Sequence, residues 1–148
     1  MIWSERASAT SAASPHAVWD VLLDGRRWSF WNPGVEWMWL EGEAVPGALA
    51  TIKLQRLRQT AFVIREAMPQ QCLALTVTVG PVARLTLSWM LAEHGDGTRI
   101  DAQIAIAGIA AGLLLERPAK RIALALPGHL ERLAARAAAE QQKNARLR

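Results

Sequence analysis

Several residue types that commonly carry chemistry are scarce or missing in this sequence. It contains no tyrosine, two phenylalanines, three histidines and one cysteine, Cys72. A single cysteine excludes an internal disulfide and a multi-thiolate metal site. Because Cys72 follows Gln71 and begins a strand-like segment, we expect it to pack as a small hydrophobic residue and not to act as a reactive thiol.

The sequence also lacks a hydrophobic run long enough to cross a bilayer. The most apolar late stretch, Ile104 to Leu115, is interrupted by two glycines and followed by charged residues and a proline, whereas a membrane-spanning helix needs about 20 apolar residues. The N-terminus, with Glu5 and Arg6 followed by small polar residues, lacks the apolar segment of a secretory signal. We therefore expect a cytoplasmic protein.

The charge balance is mildly basic and does not indicate a nucleic-acid partner. Lys and Arg total 17 against 13 Asp and Glu, a net charge of +4. The basic residues near the C-terminus alternate with Glu131 and Glu140, which is typical of a solvated helix face. Recognition of nucleic acid by a sheet would need exposed aromatics among Lys and Arg. The tryptophan-rich segment instead contains or precedes Glu36, Glu41 and Glu43, which would repel phosphates.

Motifs for metals and nucleotide cofactors are absent as well. No pair of histidines or carboxylates has metal-ligand spacing, and Gly108 and Gly112 are separated by apolar residues, unlike a phosphate-binding loop. His16 falls in the first turn of a predicted helix and His94 in a predicted turn. His129, beside a Pro-Gly pair, is the one histidine that a cavity could reach, although a surface or capping role is favoured. We expect no metal and no cofactor.

What the sequence does contain is the pattern of one α+β domain. Its 148 residues, 51% hydrophobic and 20% charged, suffice for a single domain with a real core. Ser14 suits the N-cap of a helix and Pro15 its first position, and Gly25 would end that helix. The segment RRWSFW, residues 26–31, predicts a second short helix.

From Val35 onward the spacing of apolar residues changes to the period of two that is typical of strands. Five alternating segments separated by turn residues predict strands: ALATIKLQRLR, TAFVIREAM, CLALTVTV, ARLTLSWML and RIDAQIAIA. After Gly108 the helical period returns, and Pro118 and Pro127 predict a break or a kink in the long terminal helix. One apolar stripe follows this helix: Ile122, Leu126, Leu130, Leu133 and Ala137.

Taken in order, these segments resemble the START-like (SRPBCC) superfamily, most closely its polyketide cyclase/dehydrase and lipid-transport branch. The matching stretches are ASPHAVWDVLLD, WNPGVE, REAMPQQCLALTV, GTRI and AGIAAGLLL, and they cover nearly the whole chain. The resemblance implies one helix-grip domain over residues 1–148, in which a curved antiparallel sheet wraps around a long C-terminal helix and encloses an apolar cavity. Two short helices would follow the first strand, which would fall within Ile2 to Ala12 despite a poor strand propensity.

The resemblance leaves the function open, because members of this superfamily bind lipids, sterols, polyketides or quinones and some are enzymes. Our leading hypothesis is a non-catalytic carrier or sensor that binds a hydrophobic small molecule in the cavity. The residues predicted to line the cavity are Trp31, Trp37, Leu75, Val77, Leu87, Trp89, Ile104, Ile106, Leu113 and Leu126.

Two alternative functions stay open at this point. One is a cyclase or dehydratase acting in the same cavity, with Glu66 as the first candidate for moving a proton if the phase of its strand is shifted by one residue. The other is a module that binds a membrane surface or a protein partner through the basic tail and exposed indoles.

Four of the seven tryptophans, at positions 28, 31, 37 and 39, lie in one short segment. The first two are expected to pack in the core. Trp37 and Trp39 share one face of a predicted strand with Val35, while the opposite face is also apolar. We expect one face to line the cavity and the other to contact a partner, in the first instance a second copy of the chain. Indoles lying flat on the sheet exterior are the equally open alternative.

Overall fold

Seven antiparallel strands form one curved sheet in the order β1-β7-β6-β5-β4-β3-β2. The computed structural model describes residues 3–25, 28, 35–54 and 60–147. Over these residues the strands are β1 (Trp3–Ser11), β2 (Val35–Leu40), β3 (Leu49–Leu54), β4 (Thr60–Met68), β5 (Cys72–Val79), β6 (Ala83–His94) and β7 (Gly97–Ala107). The helices are α1 (Pro15–Leu23), the short α2 (Ala111–Leu114) and α3 (Glu116–Arg146). The predicted helix-grip fold is confirmed.

The apolar alternation of the three neighbouring strands β5, β6 and β7 places one row of side chains on the side that faces α3. In this row Leu75 of β5 lies opposite Leu87 of β6, which lies opposite Ile104 of β7. Successive side chains of a strand point to opposite faces, so the polar residues between them face outward. The strand phase predicted for these three strands is therefore correct.

Helix α3 packs its apolar stripe against β1, β7 and α1. Its buried residues include Leu126, Leu130, Leu133 and Ala137 from the predicted stripe, whereas Ile122 is partly buried. This packing stabilises a helix that contains Pro127 in its interior. Of the predicted break or kink, the break does not occur at Pro127, because tertiary contacts along the stripe outweigh the one hydrogen bond that proline removes. Pro118 lies in the first turn, where amides have no intrahelical partner.

Buried polar side chains join the end of β1 to α3. The Ser11 hydroxyl donates to the carbonyl oxygen of Ala134 at 2.7 Å, and the Thr98 hydroxyl donates to that of Ala13 at 2.7 Å. Ser14 caps α1 by accepting the amide of Ala17, as its position before Pro15 predicts. The Ser11 bond fixes the end of β1 against α3, and the Thr98 bond fixes the segment before α1 against β7.

A β-bulge changes the faces of β2. The register shifts between Val35 and Trp37, so Val35 and Met38 are both buried. Trp37 and Trp39 then point outward, where 38% and 58% of their surfaces are exposed. The prediction that Trp37 lines the interior is wrong, because the extra residue of the bulge reverses the phase on which it depended.

Two predicted features fall wholly or largely on residues outside those described. They are the second short helix over residues 26–31, of which only Trp28 is described, and the last part of the predicted strand ALATIKLQRLR, residues 55–58. Trp28 is buried, as predicted, and its indole nitrogen donates to the carbonyl oxygen of Leu22 at 2.8 Å. That bond holds the residue beneath the end of α1.

Candidate functional site

The concave face of the sheet and α3 enclose a continuous apolar cluster, which we call the inner cluster. It comprises side chains from every strand from β2 to β7 and from all three helices. Among the residues predicted to line a cavity, the structure brings seven to this cluster. Buried are Leu75, Trp89, Ile104, Ile106 and Leu126, and partly buried are Val77 and Leu87.

The other three predicted residues do not contribute described side chains to the inner cluster. Trp31 lies outside the described residues. Trp37 faces outward for the reason given above, and Leu113 is 88% exposed. On α2 the inward positions are Ala111 and, just beyond the helix, Leu115, four residues apart. Because consecutive helical residues are about 100° apart, Leu113 lies on the opposite side.

Several members of the inner cluster were not among the residues predicted to line the cavity. Met38, Ile52, Phe62 and Ile64 are buried on β2, β3 and β4. Alternation in TAFVIREAM places Phe62 and Ile64 on one face, so this pair could have been predicted from the sequence pattern. The two bulges in this half of the sheet could not have been predicted in this way.

Trp89 is the one described side chain of the inner cluster that carries an unpaired polar group. It is 3% exposed, and no described residue accepts a hydrogen bond from its indole Nε1–H. The ring lies edge-to-face with Trp28 at a centroid separation of 5.8 Å and an angle of 72°. A buried donor without a partner costs about 1–3 kcal/mol, so a bound molecule with an acceptor oxygen at this point would recover that free energy.

Glu66, the candidate for catalysis, lies on the other side of the sheet. The register of β4 shifts between Ile64 and Glu66, and the Glu66 side chain is exposed. It accepts a hydrogen bond from the Cys72 thiol at 3.3 Å. Burial, followed by the hydrogen bond and negative charge of Glu66, raises the pKa of Cys72. The thiol is therefore held in its protonated, unreactive form.

His129 is the histidine closest to the interior. It is half-buried on α3, between the core residues Leu126 and Leu130 in sequence. Burial lowers its pKa, and the positive charge of Arg132 lowers it further. The imidazole is consequently neutral at neutral pH, in which state one ring nitrogen donates and the other accepts.

We predict that the protein loses stability as the pH falls from about 7.5 to about 5.5, in part because of His129. Above the unfolded-state pKa of 6.5 the imidazole is neutral in both states. As the pH falls below this value the unfolded chain binds the proton first, and the folded protein is destabilised until its own lowered pKa is passed. Urea titrations at several pH values should show a flatter dependence for His129→Gln than for the wild type. Parallel dependences would contradict this prediction.

The described parts of the chain lack two further features. No group of three or more His, Cys, Asp and Glu side chains there is arranged to hold a metal ion. No helix there combines the length and the hydropathy needed to span a membrane.

Comparison with known proteins identifies relatives of this arrangement. The family model described as polyketide cyclase / dehydrase and lipid transport matches residues 3–138. No curated protein matches the chain in sequence. The resemblance drawn from the ordered sequence segments is confirmed by the family match.

Solved structures share the fold at low sequence identity. MLL2253 from Mesorhizobium loti is 12% identical with a TM-score of 0.70, over 90% of this chain and 95% of that chain. TTHA0849 from Thermus thermophilus is 17% identical with a TM-score of 0.69, over 93% of this chain and 99% of that chain. DynU16, a protein of the dynemicin biosynthetic locus, is 16% identical with a TM-score of 0.65, over 89% of this chain and 46% of that chain. Likeness at this identity shows the fold alone.

Proposed function

The chain belongs to the polyketide cyclase / dehydrase and lipid transport family, and from this premise we propose that it binds a hydrophobic small molecule between the sheet and α3. The protein acts as a non-catalytic carrier or sensor of that molecule. The inner cluster supplies the apolar contacts, at about 25 cal/mol for each Å² of apolar surface removed from water.

The observation that carries this proposal is the buried indole N–H of Trp89, for which the described residues supply no acceptor. Buried polar groups in folded proteins nearly always have a partner, and an exception calls for a specific reason. A bound molecule with a carbonyl or hydroxyl oxygen supplies the missing acceptor. The ligand is therefore a largely apolar molecule that carries at least one oxygen acceptor, a description that polyketides and quinones share.

The absence of ionisable groups from the described core supports binding over catalysis. The buried polar residues among those described are Ser11, Thr76 and Thr98, and Ser11 and Thr98 hold backbone carbonyls. Acid–base catalysis needs a titratable group within hydrogen-bond reach of the substrate. Glu66 does not meet this requirement from the outward face of β4. The enzyme hypothesis therefore loses its named residue.

Native mass spectrometry of freshly purified protein is the direct test. We expect a discrete added mass that is lost on denaturation, and extraction should release an apolar compound containing oxygen. A second test uses two flat aromatic probes of nearly equal shape, fluorenone, which carries a carbonyl, and fluorene, which does not. A clean unliganded mass together with no binding of either probe would contradict the proposal.

We predict that Trp89→Phe weakens binding of fluorenone about two- to tenfold, the value of one hydrogen bond of about 0.5–1.5 kcal/mol. Binding of fluorene should be unchanged, since it makes no such bond. Titrations that follow tryptophan fluorescence give both affinities. Trp39→Phe, which alters an indole that is 58% exposed, is the matched control and should change neither. Equal losses for both probes would mean that Trp89 acts only through packing.

A further inference from the structure

The outward face of the sheet carries a polar groove that lies on the opposite side from the inner cluster. Its volume is about 240 Å³. The polar side chains that line it are all capable of donating hydrogen bonds: Arg65, Arg84, Thr86, Ser88 and Gln103. No carboxylate is among the described residues that line it.

Strand register explains why these donors converge. Arg84, Thr86 and Ser88 alternate along β6 and therefore share one face. Opposite Arg84 and Thr86 on β7 are Ala107 and Ala105, whose short side chains leave space between the polar ones. Ser88 lies opposite Gln103, which adds an amide at one end of the groove.

The β-bulge in β4 brings in the second guanidinium. Because the register shifts between Ile64 and Glu66, Arg65 joins the groove although β5 separates its strand from β6. The outward-facing Ala74 and Thr76 of β5 are only 8% and 9% exposed, as expected if longer side chains lie across them. Bulges are common beside functional sites, where they redirect a side chain.

Within the described parts of the chain, neither arginine is neutralised by a neighbouring acid. Arg65 and Arg84 are exposed, and neither forms an ion pair with any described residue. The nearest acid along β4, Glu66, accepts the Cys72 thiol. Asp101, on the same outward face of β7, is paired with Arg99. The groove thus contains two positive charges, which no described acid neutralises. Uncharged hydrogen-bond donors surround them.

The geometry points to a site for the oxyanion of a small molecule, and we propose that the groove binds a phosphate ester or a carboxylate. Guanidinium groups bind both anions through paired N–H donors, and hydroxyl and amide donors complete the coordination. The volume is below the range of about 300–1,000 Å³ that is usual for whole drug-sized ligands. It therefore suits one charged group rather than an entire large molecule.

A second cavity extends the groove toward the β5–β6 turn. It has a volume of about 320 Å³ and shares Arg84 and Ala107 with the groove. Apart from Arg84, its lining is uncharged: Thr78, Gly80, Pro81, Ala83, Ala107 and Gly108. The uncharged part of the bound molecule would lie here, with its anionic group between the two arginines.

The test titrates the protein with phenyl phosphate and with benzoate, which share a ring and differ in the anion. Amide NMR spectra recorded at low salt give the affinity and the location together. We expect at least one of the two probes to shift the Gln103 side-chain amide and the Thr86 backbone amide in a saturable manner. The probe that binds more tightly identifies the anion class.

The double variant Arg65→Gln, Arg84→Gln should lower that affinity about tenfold or more, because two charge-assisted interactions are lost. Arg117→Gln, Arg121→Gln changes the net charge equally at exposed positions of α3 and should lower it less than about twofold. Equal losses in both double variants would overturn the proposal, since attraction to overall charge would then explain the binding. Absence of saturable shifts with both probes would also overturn it. If the variant Arg65→Gln, Arg84→Gln folds poorly, Arg84→Lys takes its place in the test. It keeps the charge but loses the paired N–H donors, so it should retain part of the affinity.

Discussion

Replacing Leu130 with alanine should lower the free energy of unfolding by about 2–5 kcal/mol. Leu130 is fully buried where α3 packs on the sheet. Truncation removes apolar contacts and leaves a cavity that the surrounding strands fill only in part. Urea denaturation followed by far-UV circular dichroism measures the change, provided that the slope of the free energy with urea stays constant.

Leu124→Ala is the matched control on the same helix. Leu124 is 85% exposed, so the same chemical change should alter the free energy of unfolding by no more than about 0.5 kcal/mol. If Leu130→Ala lowered the free energy of unfolding by less than about 1 kcal/mol, the loss would be similar to that of a substitution at an exposed position. This result would mean that α3 does not pack on the sheet at this residue. In that case the inner cluster would not be closed on this side.

The inward faces of β5, β6 and β7 were predictable because the alternation in each strand depends on that strand's own sequence alone. Alternation in β5, β6 and β7 gave the correct face for Leu75, Leu87 and Ile104, which lie side by side in the sheet. The apolar stripe of α3 was predictable for the same reason, since its period of 3.6 is local. The family resemblance then supplied the arrangement of these elements, which periodicity alone does not give.

Strands β2 and β4 were less predictable because each contains a bulge, and a bulge depends on the partner strand. The shift after Val35 turned Trp37 outward, and the shift after Ile64 brought both Arg65 and Glu66 to the exposed face. A bulge adds one residue to one strand of a pair, and nothing in either segment marks it. This explains why one wall residue, Trp37, was misplaced and why the polar groove had no sequence signal. Glu66 faces outward, so the shifted strand phase that its catalytic role required does not occur.

The segment after β7 was hard to divide into helices because it is apolar throughout. The end of β7 before Gly108 was predicted, but residues 109–115 contain no polar side chain that marks the boundary between α2 and α3. Leu113 was assigned to the interior on hydrophobicity alone, although the turn at Gly108 reorients α2 so that Ala111 faces inward. The lack of a described acceptor for the Trp89 indole N–H also depends on neighbours distant in sequence, so the sequence pattern could not reveal it.

We expect Gly108→Ala to lower the free energy of unfolding by about 3 kcal/mol or more. Gly108 has a φ of 110°, a conformation that side chains disfavour. A Cβ atom there would lie 2.3 Å from the carbonyl oxygen of Val82. That oxygen is fixed, since it accepts the amide of Ala110 at 2.9 Å. The added Cβ therefore clashes with backbone that cannot move without losing the hydrogen bond between Ala110 and Val82.

Gly112→Ala separates this effect from the general difference between glycine and alanine. A Cβ at Gly112 meets no atom within 4 Å, and alanine in a helix is favoured over glycine by up to about 1 kcal/mol. Thermal and urea unfolding should therefore show the two variants moving in opposite directions. Gly108→Ala should also weaken binding of fluorenone, because Ala111 and Leu115 close one end of the inner cluster. A Gly108→Ala protein with wild-type stability would show that the chain does not follow this path out of β7.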